Sequence, residues 1–379
     1  VQVMKYERDT FVCSAGDKAV EVKVASAVFD VKGKVAEYHL FFTVGPTEGS
    51  FTEQLAAVKQ GVGKTLKEKG WGEESVVFKR YFLSDVVNQD GILRAQEEKR
   101  NVSVVQQAPA SGSKLALWVY GQSGRGKNNP YRHLWMAGGV NPRGDAEQQT
   151  RELLGSYDTA LLSERCRMAT DCIRTWFFVR DIDVNYAGVV KGRRELFREW
   201  GLTEKTHYIA STGIEGRVAE PQCKVLFEAY AVKGLKPEQI RYLQALTHLN
   251  PTWEYGVTFE RGVSVLYGDR RQAYMSGTAS IDAGGSIVGE GDVTGQVARM
   301  WENVAALLEE GGYGFEDVAH MIVYIRDAGD YRVVNRLFEE RFPEVPKVIV
   351  VAAVCRPGWL VEMECIALKE QVCPEFNDF

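Results

Sequence analysis

Two hydrophobic rhythms alternate along the last third of the chain. In "TGQVARMWENVAALLEEGG", Val297, Met300, Val304 and Leu308 recur at helical spacing. Before it, "AYMSGTASI" (273–281) reads as a strand ending in a Gly turn. After it comes "DVAHMIVYIRD", a compact apolar run that predicts a buried strand ending at Asp327. "YRVVNRLFEERFP" predicts a second helix stopped by Pro343, and "KVIVVAAV" and "WLVEMECIAL" predict two closing strands.

The middle third repeats the order. "LWMAGGV" is the Gly-ended strand, "EQQTRELLGSYDTALLSE" the first helix and "CIRTWFFVRDI" the strand ending at Asp181. "YAGVVKGRRELFREWG" is the second helix, with Gly201 as its C-cap. "THYIAST" and "KVLFEAYAV" close the set. The first third shows a weaker copy. "YHLFFTVGP" precedes a helix with Leu55, Val58, Val62 and Leu66 on one face. Then come "FKRYFLSDV", a short helix at "ILRAQEEKRN", and "KLALWVYG". The marker aspartates Asp85, Asp181 and Asp327 are 96 (181 − 85) and 146 (327 − 181) residues apart. An insertion around 235–259 accounts for the longer gap.

The fold class is therefore α+β, with three tandem β-α-β-α-β-β units. The boundaries are 1–125 (unit one, degenerate), 126–235 (unit two), 236–262 (insertion or linker) and 263–379 (unit three). Each unit has helices on one sheet face, so the sister units are expected to bury the other.

The repeat bears on one nucleotide-like motif. Gly121-x-x-x-x-Gly126-Lys127 has most of the pattern of a phosphate-cradling loop. Lys127 is followed by Asn128, Asn129 and Pro130 instead of a hydroxyl residue and a helix start, so the stretch reads as the connector into unit two.

Composition narrows the function. The chain has 379 residues, 45% hydrophobic and 26% charged, and a net charge of −5, which argues against nucleic acid as partner. No apolar run approaches the roughly 20 residues of a membrane span, and "VQVMKYERDT" lacks the apolar core of a secretory signal. The seven cysteines are scattered without a CxxC pair, and no histidines stand at metal-ligand spacing. We expect a cytoplasmic protein with reduced thiols, no metal, no organic cofactor, and a monomeric state.

These segments resemble the RidA/YjgF (endoribonuclease L-PSP-like) superfamily, through the order of elements, "SGTASI", "MIVYIRD" and "VEMECIA". Its members are usually homotrimers with clefts between subunits. The resemblance implies a chorismate-mutase-like fold and a single-chain pseudo-trimer. "CIRTWFFVRDID", "STGIEG", "NPTWEYGVTFER" and "AAVCRPGWLVEME" are similar to the chorismatase branch, whose members hydrolyse the enolpyruvyl ether of chorismate and release pyruvate. The chain departs from that branch between Pro251 and Tyr255, where only Thr252, Trp253 and Glu254 stand. It departs from the imine-hydrolysing pattern too. Where that pattern has Arg at the start of the penultimate strand, unit three has Lys347 and unit two has His207.

Glu362 and Glu364 carry the candidate chemistry. In a strand, alternate residues share a face, so Val361, Met363 and Cys365 face the helices and the two carboxyls face the neighbouring units. Two partly buried carboxyls about 7 Å apart raise one another's pKa toward general-acid range. The other reading is a static ion pair with Arg356 or another base. Glu362 is the expected catalytic acid, and Glu364 an expected substrate contact. Arg174, embedded in "CIRTWFF", needs an anion, either a substrate carboxylate or a neighbouring acid. Tyr208, Ser211, Thr212 and Gly213 lie along a strand running into a Gly turn that can present amides and hydroxyls to a carboxylate. The resemblance adds Tyr255 and Arg261 at the mouth of the cleft. Cys355 has no histidine near it in sequence, so it is a small buried residue at the substrate's edge and not a nucleophile.

Three functions follow. The first is a cofactor-independent enzyme on a small carboxylate, with Glu362 protonating an enolpyruvyl ether. The second is an imine or enamine deaminase, and the third a non-catalytic metabolite binder.

Overall fold

The computed structural model describes residues 4–46, 49–97, 101–124 and 129–379. Unit one contains β1 (Met4–Ala15), β2 (Lys18–Phe29), β3 (Ala36–Val44), α1 (Phe51–Lys69), β4 (Val76–Leu83), α2 (Val86–Arg94), β5 (Val102–Gln106), the two-residue β6 (Ala108–Pro109) and β7 (Leu115–Ser123). Unit two contains β8 (Arg132–Val140), α3 (Ala146–Ser163), a single turn α4 (Met168–Asp171), β9 (Cys172–Val179), α5 (Ile182–Glu199), β10 (Ala210–Glu215) and β11 (Val225–Lys233). Then follow β12 (Ile240–Leu243), β13 (Gly262–Leu266), β14 (Arg270–Ala279), α6 (Val293–Gly311), β15 (Val318–Ile325), α7 (Tyr331–Arg341), β16 (Lys347–Val351) and β17 (Val361–Glu370).

Three mixed sheets result, ordered β1-β2-β3-β7-β4-β5, β10-β9-β11-β8 and β12-β13-β14-β17-β15-β16-β6. In each, one parallel pair (β4–β5, β9–β10, β15–β16) spans a helical crossover. The marker aspartates stand where the central strand gives way to the next helical turn. Asp85 accepts from Asn88 N at the start of α2, Asp181 precedes α5, and Asp327 accepts from Gly329 N.

The structure adds elements that the sequence pattern does not predict. β1 and β2 form a twelve-pair antiparallel hairpin, β5 completes the first sheet, and β12 pairs with β13 at the edge of the third. It also corrects one reading. "THYIAST" does not end a strand in a Gly turn: β10 starts at Ala210 and runs through Ser211, Thr212 and Gly213 to Glu215. Of the phosphate-loop match, Gly126 and Lys127 lie outside the described residues. Gly121 lies inside β7, where a Cβ would sit 1.9 Å from the Tyr38 ring, so this glycine serves packing.

The sheets meet one another edge to edge. Gln106 bridges Arg217, Ile214 bridges Val354, and β6 pairs antiparallel with β16. Between their inner faces lie buried ion pairs, Arg80 with Glu228 (Nε to Oε2 3.2 Å) and Arg174 with Glu364 (3.1 Å). Between units one and three, His39 and His320 meet instead, Nδ1 to Nδ1 3.1 Å. On the opposite face of β17, Val361, Met363 and Cys365 join Val297, Met300 and Val304 of α6 in one core cluster. Among the described residues no helix is long and apolar enough to cross a membrane.

Candidate active site

A cleft opens where unit two meets unit three. Its innermost space is about 40 Å³, widening to about 530 Å³ with the solvent-filled mouth. Unit two supplies Tyr186 and Arg193 from α5 and Ser211 and Gly213 from β10. The other wall comes from the 255–261 segment, the end of β14, the Cys355–Trp359 turn and Glu362 of β17.

Local structure explains this convergence. The Glu215 carboxylate, at the end of β10, accepts from the backbone N–H groups of Asp181 (3.1 Å) and Ile182 (2.7 Å). An anion is favoured there by the unpaired amides of a helix start, and it fixes α5 against β10. Gly213 lets Tyr186 close over the strand, since a Cβ would stand 2.8 Å from its ring. Across the boundary, β14 and β17 lose register between Met275 and Thr278. That bulge turns the Gly277 N–H toward Thr212 Oγ1, 2.9 Å away. Ser276 Oγ donates to Glu260 O (2.6 Å) and accepts from Ser211 N (2.9 Å), tying both walls together.

The two glutamates differ in environment. Glu364 accepts from Trp176 Nε1 (2.8 Å) and Arg174 Nη2 (3.1 Å), and is a fixed carboxylate. Glu362 is 5% exposed and has no hydrogen-bond or ion-pair partner among the described residues. Burial, and then the charge of Glu364, push its carboxyl up to about 8; Arg261 and Arg174 pull the other way. At neutral pH Glu362 therefore carries a proton and faces a cavity, as a general acid must.

Three cations share the cleft with it. Arg193 donates from Nε to Thr258 Oγ1 (3.2 Å) and from Nη1 to Ser211 Oγ (3.4 Å), with the Tyr186 hydroxyl beside the guanidinium, while its buried Nη2 meets no well-formed hydrogen-bond geometry among the described residues. Arg261 donates from Nη2 to Asn250 O (3.0 Å) and Oδ1 (3.2 Å), and its buried Nε is unpartnered. Arg356 lies over the rings of Tyr255 (4.6 Å) and Trp359 (5.0 Å). Burial pushes the Cys355 thiol up to about 12, which leaves it protonated and poorly nucleophilic. Among the described residues, no group of three His, Cys, Asp or Glu could hold a metal.

The structure brings Glu362, Ser211, Gly213, Tyr255, Arg261 and Cys355 to this cleft. Arg174, Thr212 and Glu364 stand behind the wall, not on it. The Arg174 guanidinium is committed to Glu364, to Thr212 Oγ1 (2.6 Å) and to Thr175 O (2.6 Å), which leaves it no free face for a substrate. Tyr208 lies in a neighbouring depression with His207, Asn250 and Trp253. Sequence reasoning missed Tyr186, Arg193, Gly277 and Trp359. A signal existed for Arg193: it shares the buried stripe of α5 with Val189 and Phe197, each four residues away.

Gly277 gives a direct test of this geometry. A Cβ there would stand 2.3 Å from Glu362 Oε1 and 3.1 Å from Thr212 Cγ2. The nearest atom is the end of a side chain, so the fold gives way and the carboxyl is displaced. Gly277→Ala is expected to cost about 1 kcal/mol of stability and about a hundredfold in kcat, read by urea unfolding and turnover. Unchanged kcat would place Glu362 elsewhere than the reacting position.

The Endoribonuclease L-PSP family model matches residues 263–369. A RutC family protein of Pyrococcus abyssi is 35% identical over 99 residues, 26% of this chain and 78% of the relative. The 3-aminoacrylate deaminase RutC of Acinetobacter baylyi is 28% identical over 96 residues, 25% of this chain and 76% of the relative. A chorismatase crystal structure superposes with a TM-score of 0.61 at 21% identity, over 78% of this chain and 94% of that one. At that identity the likeness speaks for the fold.

Proposed function

The chain belongs to the RidA/YjgF superfamily, and on that premise we propose that it hydrolyses a small carboxylate metabolite, with Glu362 as general acid. One observation carries the proposal. Glu362 is a buried carboxyl, pushed up to about 8 by burial, in a cleft where among the described residues neither it nor the arginines has an ion-pair partner.

On an enolpyruvyl ether, Glu362 gives its proton to the methylene carbon. The ether oxygen's lone pair stabilises the neighbouring carbon as an oxocarbenium ion, and water adds to that ether-bearing carbon. The water's proton returns to the Glu362 carboxylate, and the hemiketal collapses to pyruvate and an alcohol. In this reading Arg356 and Arg261, both on the cleft wall, hold a carboxylate during these steps. The Cys355 thiol stays neutral and shapes the wall.

A second reading has its own support, the similarity of a 96-residue stretch of the chain to a 3-aminoacrylate deaminase. On an enamine the same acid protonates the same kind of carbon, and water addition then expels ammonia. The short Thr252–Tyr255 turn beside the cleft bears on substrate size and not on this first step.

Chorismate and 3-aminoacrylate are the substrates to test first. Pyruvate release is followed by NADH loss with lactate dehydrogenase, and ammonia release by a coupled glutamate dehydrogenase assay. Turnover of either supports a hydrolytic role. If neither turns over but one raises Tm at millimolar concentration, the protein is a binder; a tenfold excess over Kd stabilises by about 1.4 kcal/mol.

A further inference from the structure

The three junctions between units are not alike. Where unit two meets unit three, Arg174 and Glu364 make a buried ion pair. The repeat fixes what stands in their places where unit three meets unit one. Arg174 lies seven residues before Asp181 (181 − 174), and His320 seven before Asp327 (327 − 320). Glu364 pairs with Ile322 and Trp118 with Arg80, each partner five residues before its marker aspartate (327 − 322; 85 − 80). So His320 replaces the arginine and Trp118 the carboxylate, with their rings 4.6 Å apart. His39, from β3, supplies the acceptor that Trp118 cannot.

The contacts assign the hydrogens. Trp118 Nε1 donates to His39 Nδ1 (3.3 Å), so that nitrogen is an acceptor. His320 Nδ1, 3.1 Å from it, then carries the hydrogen between the two rings. His39 keeps its own hydrogen on Nε2, which is buried and has no partner among the described residues. Both imidazoles are neutral in this arrangement, and they are 2% and 1% exposed.

Neither ring has room for a second proton. On His39 Nδ1 it would face two N–H donors. On His320 it would make an imidazolium, out of water, beside the guanidinium groups of Arg80 from β4 and Arg174 from β9. The carboxylates that accompany these arginines, Glu228 and Glu364, are already bound to them. β7 brings Trp118 and Tyr120, whose hydroxyl burial holds neutral, while β2 and β17 place Ala27 and Ile366 opposite the two histidines.

We infer that the His39–His320 contact is an acid-sensitive latch: protonation of either ring opens the junction of units three and one, while the Arg–Glu junctions stay closed. Nothing in this depends on what the cleft binds. Burial holds His39 at about 3 and His320 well below the ordinary 6.5. In the unfolded chain both take a proton near 6.5. The folded state thus binds fewer protons than the unfolded one below that pH. The latch is at full strength above about pH 6.5 and weakens as pH falls, by about tenfold in the unfolding constant per pH unit for each ring.

The test uses the purified full chain and the double variant His39→Phe, His320→Leu, with urea unfolding followed from about pH 7.5 to 4.5. Carboxylates common to both chains cancel in the comparison. Between about pH 7 and 5 the parent's unfolding constant is expected to rise at least about a hundredfold more than the variant's. A merely structural contact would shift stability at every pH and leave the slope alone. Amide exchange, corrected for intrinsic rates, locates the opening. As pH is lowered over the same range, protection should fall first in β3 and β15, while β9 and β11 keep theirs. If the double variant does not fold, His320→Leu replaces it, with a difference of at least about tenfold expected. If neither folds, the exchange of the parent decides. Parallel pH dependence of the two chains, or protection lost evenly from all three sheets, overturns the latch.

Discussion

Glu362→Gln is expected to reduce turnover by a factor of about 10²–10⁴, the usual worth of a general acid, while the protein stays folded. The amide keeps the shape of the carboxyl and cannot give up a proton in its place. The same substitution should also change how stability depends on pH. In the folded chain the carboxyl titrates at about 8, in the unfolded chain near 4.5. Between those values the folded state holds a proton that the unfolded state has lost. The contribution is full below about pH 4.5, declines as pH rises and is gone above about 8, by up to about 1.4 kcal/mol per pH unit. Glu362→Gln lacks this slope, so it should be more stable than the parent at pH 8 and nearly equal to it at pH 4.5. Activity of the parent should fall as pH rises through about 8, when the acid ionises. Turnover assays and urea unfolding across pH 4.5–9 check both arms. Full activity of the amide, or parallel pH–stability curves, would remove Glu362 from the proposed role.

Glu228→Leu is expected to cost about 3–5 kcal/mol of stability, the largest effect of any single change considered away from the cleft. Arg80 and Glu228 are both fully buried between units one and two. The guanidinium is ringed by Phe78, Trp118, Trp176 and Phe178, with centroids 5.0–5.5 Å away. Ser103 Oγ occupies the other carboxylate oxygen. Removing Glu228 leaves a cation without its anion in an aromatic cage. The double change Arg80→Met with Glu228→Leu should recover most of the loss, because no charge then remains to be buried. Urea unfolding of the two single variants and the double variant measures it. Turnover per folded molecule should hardly change, since neither residue reaches the cleft. A loss below about 1 kcal/mol for Glu228→Leu would mean that water reaches Arg80.

Much of this fold was legible because its core elements keep their periods. α6 shows its buried stripe at Val297, Met300, Val304 and Leu308, and β9 and β15 are buried throughout. The β1–β2 hairpin was not legible. β1 is an edge strand that carries Lys5, Glu7, Arg8 and Asp9, and its exposed positions obscure any alternation. Glu362 could be read from period two alone, because a strand's faces follow from its sequence. Arg174 and Arg193 show the limit. Both are buried arginines, and sequence assigns Arg174 a need for an anion without saying whose, while Arg193 went unread. Arg174 meets Glu364 from a sister sheet, whereas Arg193 meets none. Only the packing of three sheets decides that, and Arg193 was further masked by the charged run "KGRRELFRE" around it.

The cleft's two walls come from units two and three of one polypeptide, joined by the bridges Ile214–Val354 and Ala210–Glu260. A cleft shared between separate subunits dissolves on dilution, once the concentration falls below their dissociation constant. Here the walls are tethered, and their effective concentration is set by the connecting chain, not by the number of molecules in the vessel. Ligand affinity and specific activity should therefore hold constant as the protein is diluted from micromolar to picomolar.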